Sequence, residues 1–177
     1  GCAMFGLKPL LIERAAMGGD CLNPGCARST ALISAAHRAH DLRTASEFGM
    51  ASVEPVVDFR AVHDAVHQAI KTIEPHDSVE RFEGMGVEVV RGDATFTGPK
   101  SVVVDGRTYS APRIVIAVGS RAFVPPIRGL DAVPYLTNHN VWDLTELPQR
   151  LIVLGGGPIG MELAQSFRRL GPQVVVA

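Results

Sequence analysis

Apolar positions in the first fifty residues form one short run and then a long helical segment. Residues 7–13 form an apolar run that ends in an acidic residue, which is typical of a buried parallel strand. Residues 27–49 are rich in Ala and Leu, which favour helix, and they close with Gly49, a common helix terminator. The pattern predicts a strand, a glycine-containing loop and a helix, in that order.

A second amphipathic segment follows. Apolar residues at Phe59, Val62, Val66 and Ile70 fall on one face of a helix, with polar residues between them. Pro75 ends this helix or begins a further turn, because proline is not accommodated inside a helix.

The middle of the chain has a different composition and contains runs of β-branched residues. Residues 87–98, 100–111 and 112–120 are three such runs, separated by Gly, Pro and Asp-Gly. Asp105 and Gly106 form a tight-hairpin signal between two of the strands that these runs predict. Extended structure is therefore expected from residue 87 to residue 120.

The last segment contains a glycine motif in a specific context. Residues 150–177 read as strand, glycine turn, helix and strand, and Gly155, Gly157 and Gly160 supply a G-x-G-x-x-G pattern at the turn. In such a turn the first glycine permits the tight bend, the second lets the backbone approach a pyrophosphate, and the third lets helix and strand pack closely. The motif predicts a dinucleotide site, preceded by a proline-containing connection over residues 124–149.

Charge and composition exclude several classes of function. The 17 basic and 18 acidic residues are interspersed, so the chain carries no basic patch for nucleic acid or an anionic membrane. No apolar run approaches the roughly 20 residues that cross a bilayer. Three cysteines are too few for a secreted disulfide scaffold of this size, which favours a cytoplasmic protein.

Two cysteines stand out. Cys21 and Cys26 lie five positions apart behind a Gly-Gly pair, at the start of a predicted helix whose partial positive charge favours a thiolate. From the residues alone they could be a redox couple, half of a soft-metal site that needs two more ligands, or buried structural thiols. Cys2, near the start of the chain, is expected in the core.

Histidine pairs are the other candidates for metal binding. His63 and His67 are four positions apart, as two ligands on one helix would be, but no third ligand completes a pattern, so we expect a solvated polar face. The same interpretation applies to His37 and His40. Trp142 is expected to serve packing.

Four segments, in order along the chain, resemble the pyridine nucleotide-disulfide oxidoreductases, a family of FAD flavoproteins. The family's redox-disulfide signature is usually G-G-x-C-[LV]-N-x-G-C-[VI]-P-S-K, and residues 18–30 read GGDCLNPGCARST. This signature lies within the first segment, residues 10–32. The second segment, residues 73–99, is similar to mercuric reductases, and the third, residues 113–131, is similar to the family's A-T-G-S-x-P. The fourth, residues 135–165, is similar to the link into the family's NAD(P) domain.

The resemblance implies an α/β fold and a domain order. A Rossmann-like FAD-binding domain with an inserted β-meander would cover residues 1–146, and the first βαβ of a second Rossmann-like, NAD(P)-binding domain would cover residues 147–177. Both ends fall within predicted elements, so we expect a fragment whose first glycine turn lies upstream. Such a fragment should retain FAD poorly and show no turnover.

The resemblance also implies a relay of electrons. NAD or NADP in its reduced form would reduce FAD, and FAD would reduce a Cys21–Cys26 disulfide, with Cys26 against the flavin and Cys21 exchanging with substrate. The residue that selects NAD or NADP would follow the last strand, so the choice is not readable. Matched positions imply a set of cofactor-binding residues: Glu13, Gly19, Asp20, Thr30, Ala94, Val118, Gly119, Gly155, Gly157, Pro158, Ile159, Gly160 and Glu162.

This chain departs from the family pattern near the flavin. Thr30 replaces the family's lysine, whose partner in the family is a glutamate at the position of Glu162. Val118 replaces a threonine, and Asp20 replaces a common threonine and adds a negative charge near phosphates. The threonine at position 30 puts efficient flavin reduction in doubt, though not FAD binding.

The substrate implied is a small disulfide or Hg(II), as in mercuric reductases. Thiolates bind soft metal ions such as Hg(II) strongly, which makes that acceptor chemically apt. Dihydrolipoyl dehydrogenase is the alternative, and a degenerate, non-catalytic flavin- or nucleotide-binding module is a second alternative from another class. The family further implies a homodimer in the full-length protein.

Overall fold

A computed structural model describes all residues from 1 to 177. The chain divides into two compact units. Unit 1 comprises Gly1–Asp20 and Ile73–Arg121, and unit 2 comprises Cys21–Thr72 and Ala122–Ala177. The predicted boundary at residue 147 separates an FAD-binding from an NAD(P)-binding domain, whereas these units are defined by their compactness. That boundary stays a prediction.

Unit 1 contains a short parallel sheet. Strand β1 (Leu10–Glu13) pairs with β2 (Glu88–Arg91), with Glu13 opposite Arg91 at the carboxyl end. A short helix, α4 (Val79–Gly84), leads into β2 and is capped by the Ser78 hydroxyl, which accepts a hydrogen bond from the backbone N–H of Arg81. The two strands therefore end at the same edge, where ligands of parallel sheets bind.

Unit 1 also contains the predicted meander. Three antiparallel strands, β3 (Thr95–Gly98), β4 (Ser101–Val104) and β5 (Arg107–Ser110), follow in order. Asp105 and Gly106 join β4 to β5 with φ values of 47° and 80°, as expected for the tight hairpin that this dipeptide predicts.

The third predicted β-branched run is the main error in the sequence prediction. Residues 111–127 contain no strand, and Val115, Ile116 and Val118 are 87%, 68% and 83% exposed. A strand exists only where its backbone N–H and C=O groups pair with a neighbour. Residues 112–120 pair with none of the strands in the three sheets, so they form no β-ladder despite their β-branched composition.

The first half of unit 2 is helical. The single turn α1 (Gly19–Leu22) contains the point at which the chain passes from unit 1 to unit 2. Helix α2 (Cys26–Thr44) continues into a 3₁₀ turn that Gly49 ends with φ at 79°. Helix α3 (Phe59–Ile73) follows. Both predicted helices are thus confirmed.

The second half of unit 2 is the predicted βαβ. Strand β6 (Arg150–Val153) pairs in parallel with β7 (Gln173–Val176), and helix α5 (Pro158–Leu170) connects them. The core of unit 2 lies between α2, α3 and α5, and the Phe59 and Phe167 ring centroids are 6.0 Å apart within it. Its other buried members are Leu32, Ala36, Ala39, Val66, Val141, Trp142 and Leu170. None of the helices combines the length and apolar character that crossing a bilayer requires.

Candidate functional site

The two cysteines lie on either side of a short loop in unit 2. Cys21 is the third residue of α1 and Cys26 is the first residue of α2, and both are exposed. Leu22 and Pro24, between them, are buried. Apolar side chains thus anchor the loop, while both cysteine residues are exposed.

Trp142 holds this loop in place. Its side chain is buried in the core of unit 2, and its indole N–H donates to the carbonyl oxygens of Pro24, at 3.0 Å, and Asn138, at 2.6 Å. The packing role expected of Trp142 is confirmed. The hydrogen bond to the loop between the cysteines was not predicted, because 118 residues separate the two partners along the chain.

The exposure of the cysteines bears on the alternatives. Buried structural thiols are contradicted for Cys21 and Cys26, since both are exposed. No three His, Cys, Asp or Glu side chains cluster as ligands of a metal ion would. Cys2 was expected in the core but is exposed, because the 3₁₀ helix Cys2–Phe5 buries none of its residues.

The first turn of α2 is tied to α3 by Arg28. Its Nη1 lies 3.2 Å from Nε2 of His67, and the rings of His67 and His63 are 4.1 Å apart. Burial lowers the pKa of Arg28, and the negative charge of Asp143 opposes that effect. The prediction that His63 and His67 form a solvated polar face is therefore wrong, because both are partly buried and His67 contacts Arg28 of α2.

The glycine motif has the geometry of an anion site. Gly155 has φ at 100°, and a Cβ on Gly160 would lie 2.3 Å from the Gly155 carbonyl oxygen, so both glycines are required by the backbone. Gly157 precedes α5 and has nothing within 4 Å of an added Cβ. No side chain caps α5, so the N–H groups of its first turn, beside Pro158 and Ile159, are available to a pyrophosphate.

Glu13 and Ala94 lie near the carboxyl edge of the parallel sheet in unit 1. The half-buried Glu13 accepts a hydrogen bond from the backbone N–H of Ala15 at 2.7 Å, and its carbonyl accepts from Gly92 at 3.1 Å. Ala94 is exposed and follows β2 by three residues. Glu13 therefore ends β1 at the carboxyl edge of the sheet, the edge at which ligands of parallel sheets usually bind.

Asp20 and Gly119 come together in unit 1. The Asp20 carboxylate accepts a hydrogen bond from the backbone N–H of Ser120 at 2.9 Å, and a Cβ on Gly119 would lie 2.6 Å from the same oxygen. Gly119 has φ at 69°. The neighbouring Val118 is exposed. The negative charge of Asp20 thus lies against the backbone of this turn.

Thr30 and Glu162 both lie in unit 2, whereas most of the predicted FAD contacts lie in unit 1. Thr30, near the start of α2, and Glu162, near the start of α5, are both exposed, and the two helices pack against each other in unit 2. Threonine carries no charge, so Glu162 has no cationic partner at position 30. Six of the predicted FAD contacts lie in unit 1: Glu13, Gly19, Asp20, Ala94, Val118 and Gly119.

Comparison with known proteins points to one family. The model of the family described as "Pyridine nucleotide-disulphide oxidoreductase" matches residues 1–177. A mercuric reductase from Streptomyces lividans is 38% identical over 178 residues, which cover 97% of this chain and 38% of that protein. A dihydrolipoyl dehydrogenase from Thermus scotoductus is 36% identical over 181 residues, which cover 98% of this chain and 37% of that protein.

A solved structure agrees. The HOCl-induced flavoprotein disulfide reductase RclA from Escherichia coli matches with a TM-score of 0.80 and 28% identity, over 98% of this chain and 37% of that one. The mixed α/β architecture, with parallel and antiparallel sheets, is that of the FAD-binding, Rossmann-like domain of such reductases. The chain spans less than two-fifths of the length of the relatives it matches.

Proposed function

The chain belongs to the pyridine nucleotide-disulphide oxidoreductase family, and from this we propose that the whole protein is an NAD(P)H-dependent, FAD-linked reductase with Cys21 and Cys26 as its redox-active dithiol. One observation carries the proposal. Two exposed cysteines lie on either side of a loop whose own residues Leu22 and Pro24 are buried. The carbonyl oxygen of Pro24 accepts a hydrogen bond from Trp142. A fixed loop with accessible sulfurs suits thiol–disulfide exchange, which depends on access.

The residues present fit the two cofactors of the family. The open backbone at Gly157 and the uncapped start of α5 suit the pyrophosphate of NAD or NADP. Glu13, at the carboxyl edge of its sheet, suits a ribose hydroxyl of FAD. When bound, FAD would supply two-electron transfer between the nicotinamide and the cysteine pair.

The cysteines divide the exchange chemistry between them. Reduction of a Cys21–Cys26 disulfide takes up two electrons and two protons and gives two thiols. Cys21 then exchanges with the acceptor as a thiolate, and Cys26 closes the disulfide again. Both electrons leave with the acceptor, which is Hg(II) reduced to the metal or a small disulfide reduced to two thiols.

The acceptor separates two versions of the proposal. Relatives called mercuric reductase and dihydrolipoyl dehydrogenase match at nearly equal identity, 38% and 36%. Soft thiolates at accessible positions suit Hg(II) as well as a disulfide. NAD(P)H oxidation by the full-length protein with Hg(II) in one arm and lipoamide in the other decides between these acceptors.

We place the activity in a cytoplasmic homodimer.

A second candidate is a non-catalytic flavin- or nucleotide-binding module. Thr30 and Val118 favour it, because Thr30 lacks the charge of the family's lysine and Val118 lacks the hydroxyl of the family's threonine. Such a module would bind FAD and NAD(P)H without cycling the cysteines.

A titration of the full-length protein with NAD(P)H, without oxygen, tests the proposal. We expect a long-wavelength absorbance from a thiolate beside oxidised flavin. Cys26→Ser should abolish this band, whereas Cys2→Ser, which changes an exposed cysteine outside the pair, should leave it unchanged. Ordinary flavin bleaching with no such band in the wild type would favour the non-catalytic module.

A further inference from the structure

Arg28 occupies an unusual position for an arginine. It lies in the first turn of α2, two residues after Cys26, and it is partly buried. Its Nε is buried and has no hydrogen-bond partner. The guanidinium is therefore held by few contacts, of which the hydrogen bond to His67 is the one that joins it to another helix.

The geometry fixes the protonation of His67. Its Nδ1 lies 2.9 Å from the backbone carbonyl oxygen of His63, and a carbonyl only accepts, so Nδ1 carries the proton. Its Nε2 lies 3.2 Å from Nη1 of Arg28, and a guanidinium only donates, so Nε2 carries the lone pair. The contact requires a neutral imidazole of this one tautomer.

A second proton on His67 is incompatible with the hydrogen bond to Arg28. A proton on Nε2 would face the Arg28 guanidinium and remove its acceptor. The ring of His63 stacks 4.1 Å away on α3, with its own Nδ1 2.9 Å from a carboxylate oxygen of Asp64. The negative charge of Asp143, in the 3₁₀ turn Val141–Asp143, raises the pKa of Arg28 and so favours its charged form.

We propose that Arg28 and His67 are a positioning pair that holds the first turn of α2, and with it Cys26, and that proton uptake by His67 releases this turn. The importance of the pair for the dithiol rests on the proposed function; the pair itself does not. Because histidine is the side chain that changes charge between about pH 8 and pH 5, the turn should be ordered at the upper end of this range and loosened at the lower end.

Amide hydrogen exchange and ring NMR of the 177-residue chain test the proposal. After correction for intrinsic exchange, amides 29–33 of the wild type should be protected about fivefold or more better at pH 8 than at pH 5.5. His67→Gln keeps an acceptor for Arg28 but does not titrate, so its protection should change less than about twofold over the same range. His37→Gln changes an exposed histidine of α2, the helix that carries Arg28, and should behave as the wild type does.

Three results would overturn the proposal: no pH dependence in the wild type, the same pH dependence in His67→Gln, or an Nε2–H tautomer of His67 at pH 8. If His67→Gln does not fold, the ring ¹⁵N shifts of the wild type still decide the tautomer. Neither measurement needs flavin or a disulfide, so failure here leaves the redox proposal intact, and failure of the absorbance test leaves this pair intact.

Discussion

At the scale of single residues, the glycines of the dinucleotide motif have separable roles. Gly155 adopts a backbone conformation that other residues rarely take, Gly160 has no room for a side chain, and Gly157 has room but borders the expected ligand. The sequence motif predicts all three roles, because each follows from the sharp strand-to-helix turn that the motif must form. Such local backbone requirements are readable from spacing alone.

Gly160→Ala should destabilise the chain. Its Cβ would lie 2.3 Å from the Gly155 carbonyl oxygen, which is backbone and cannot turn aside as a side chain could. We expect a loss of about 1–3 kcal/mol in the free energy of unfolding, measured by urea denaturation. Gly156→Ala is the matched control, since nothing lies within 4 Å of its added Cβ. Equal stability of the two variants would contradict this account of helix–strand packing.

Contacts between residues that are distant in sequence cannot be predicted from local spacing. Trp142 reaches Pro24, and Arg28 reaches His67, across 118 and 39 residues. The i, i+4 spacing of His63 and His67 states that they share a helix face, but not whether that face is buried. The predicted solvated face failed because residues distant in sequence, among them Arg28 of α2, contact that side of α3, which no local pattern reveals.

At the scale of elements, α2, the loop after it and α5 are joined through one arginine. The guanidinium of Arg43 donates to the Glu54 carboxylate from Nε at 2.8 Å, and its Nη2 lies 2.7 Å from the same oxygen. Its Nη1 donates to the carbonyl oxygen of Arg169 at the end of α5. Cations at a helix C-terminus are favourable, so Arg43 stabilises α5 as well as the loop.

Coupling between Arg43 and Glu54 should depend on pH. The hydrogen bond from Arg43 lowers the pKa of Glu54, so the folded state favours the carboxylate. The pair therefore stabilises the fold at pH values above the ordinary pKa of glutamate, about 4.3. This contribution is lost as pH falls through the lowered pKa. A double-mutant cycle with Arg43→Ala and Glu54→Gln, followed by urea unfolding, should give favourable coupling at pH 7 and none at pH 2.5.

A control for that cycle is available on the surface. Arg14 and Asp93 form a looser exposed pair at 3.6 Å, and a cycle there should give little coupling at either pH. Coupling between Arg43 and Glu54 that persists undiminished at pH 2.5 would mean that the carboxylate charge does not hold the contact.

Elements themselves were predicted well wherever their signals are local. The end of the first helical segment at Gly49, the hairpin at Asp105 and Gly106, and the βαβ of residues 150–176 each depend on residues a few positions apart. Residues 112–120 have the composition of a strand, but a strand also needs a neighbour. Composition reports a propensity for extended structure, whereas pairing is a property of the whole fold.

At the scale of the whole molecule, each compact unit carries part of the predicted chemistry. The cysteines and the glycine motif lie in unit 2, and most predicted FAD contacts lie in unit 1. The family, its fold and its cofactors follow from sequence motifs and are supported by the relatives. The electron acceptor cannot be inferred from the same motifs. The chain spans under two-fifths of the length of its relatives, and these relatives are named for different acceptors.

The run from Ile114 to Val118 should behave as exposed backbone in the 177-residue chain. Its amides belong to no ladder, and Val115, Ile116 and Val118 are largely exposed, so they should exchange hydrogen at close to the intrinsic rate. Amides of β4, which pairs on both sides and buries Val102 and Val104, are the internal control and should exchange more slowly by about tenfold or more. Mass spectrometry of exchanged peptides compares the two segments in one sample. Equal protection would mean that residues 114–118 pair with a strand after all, and their apolar composition would then report a formed element and not only a propensity.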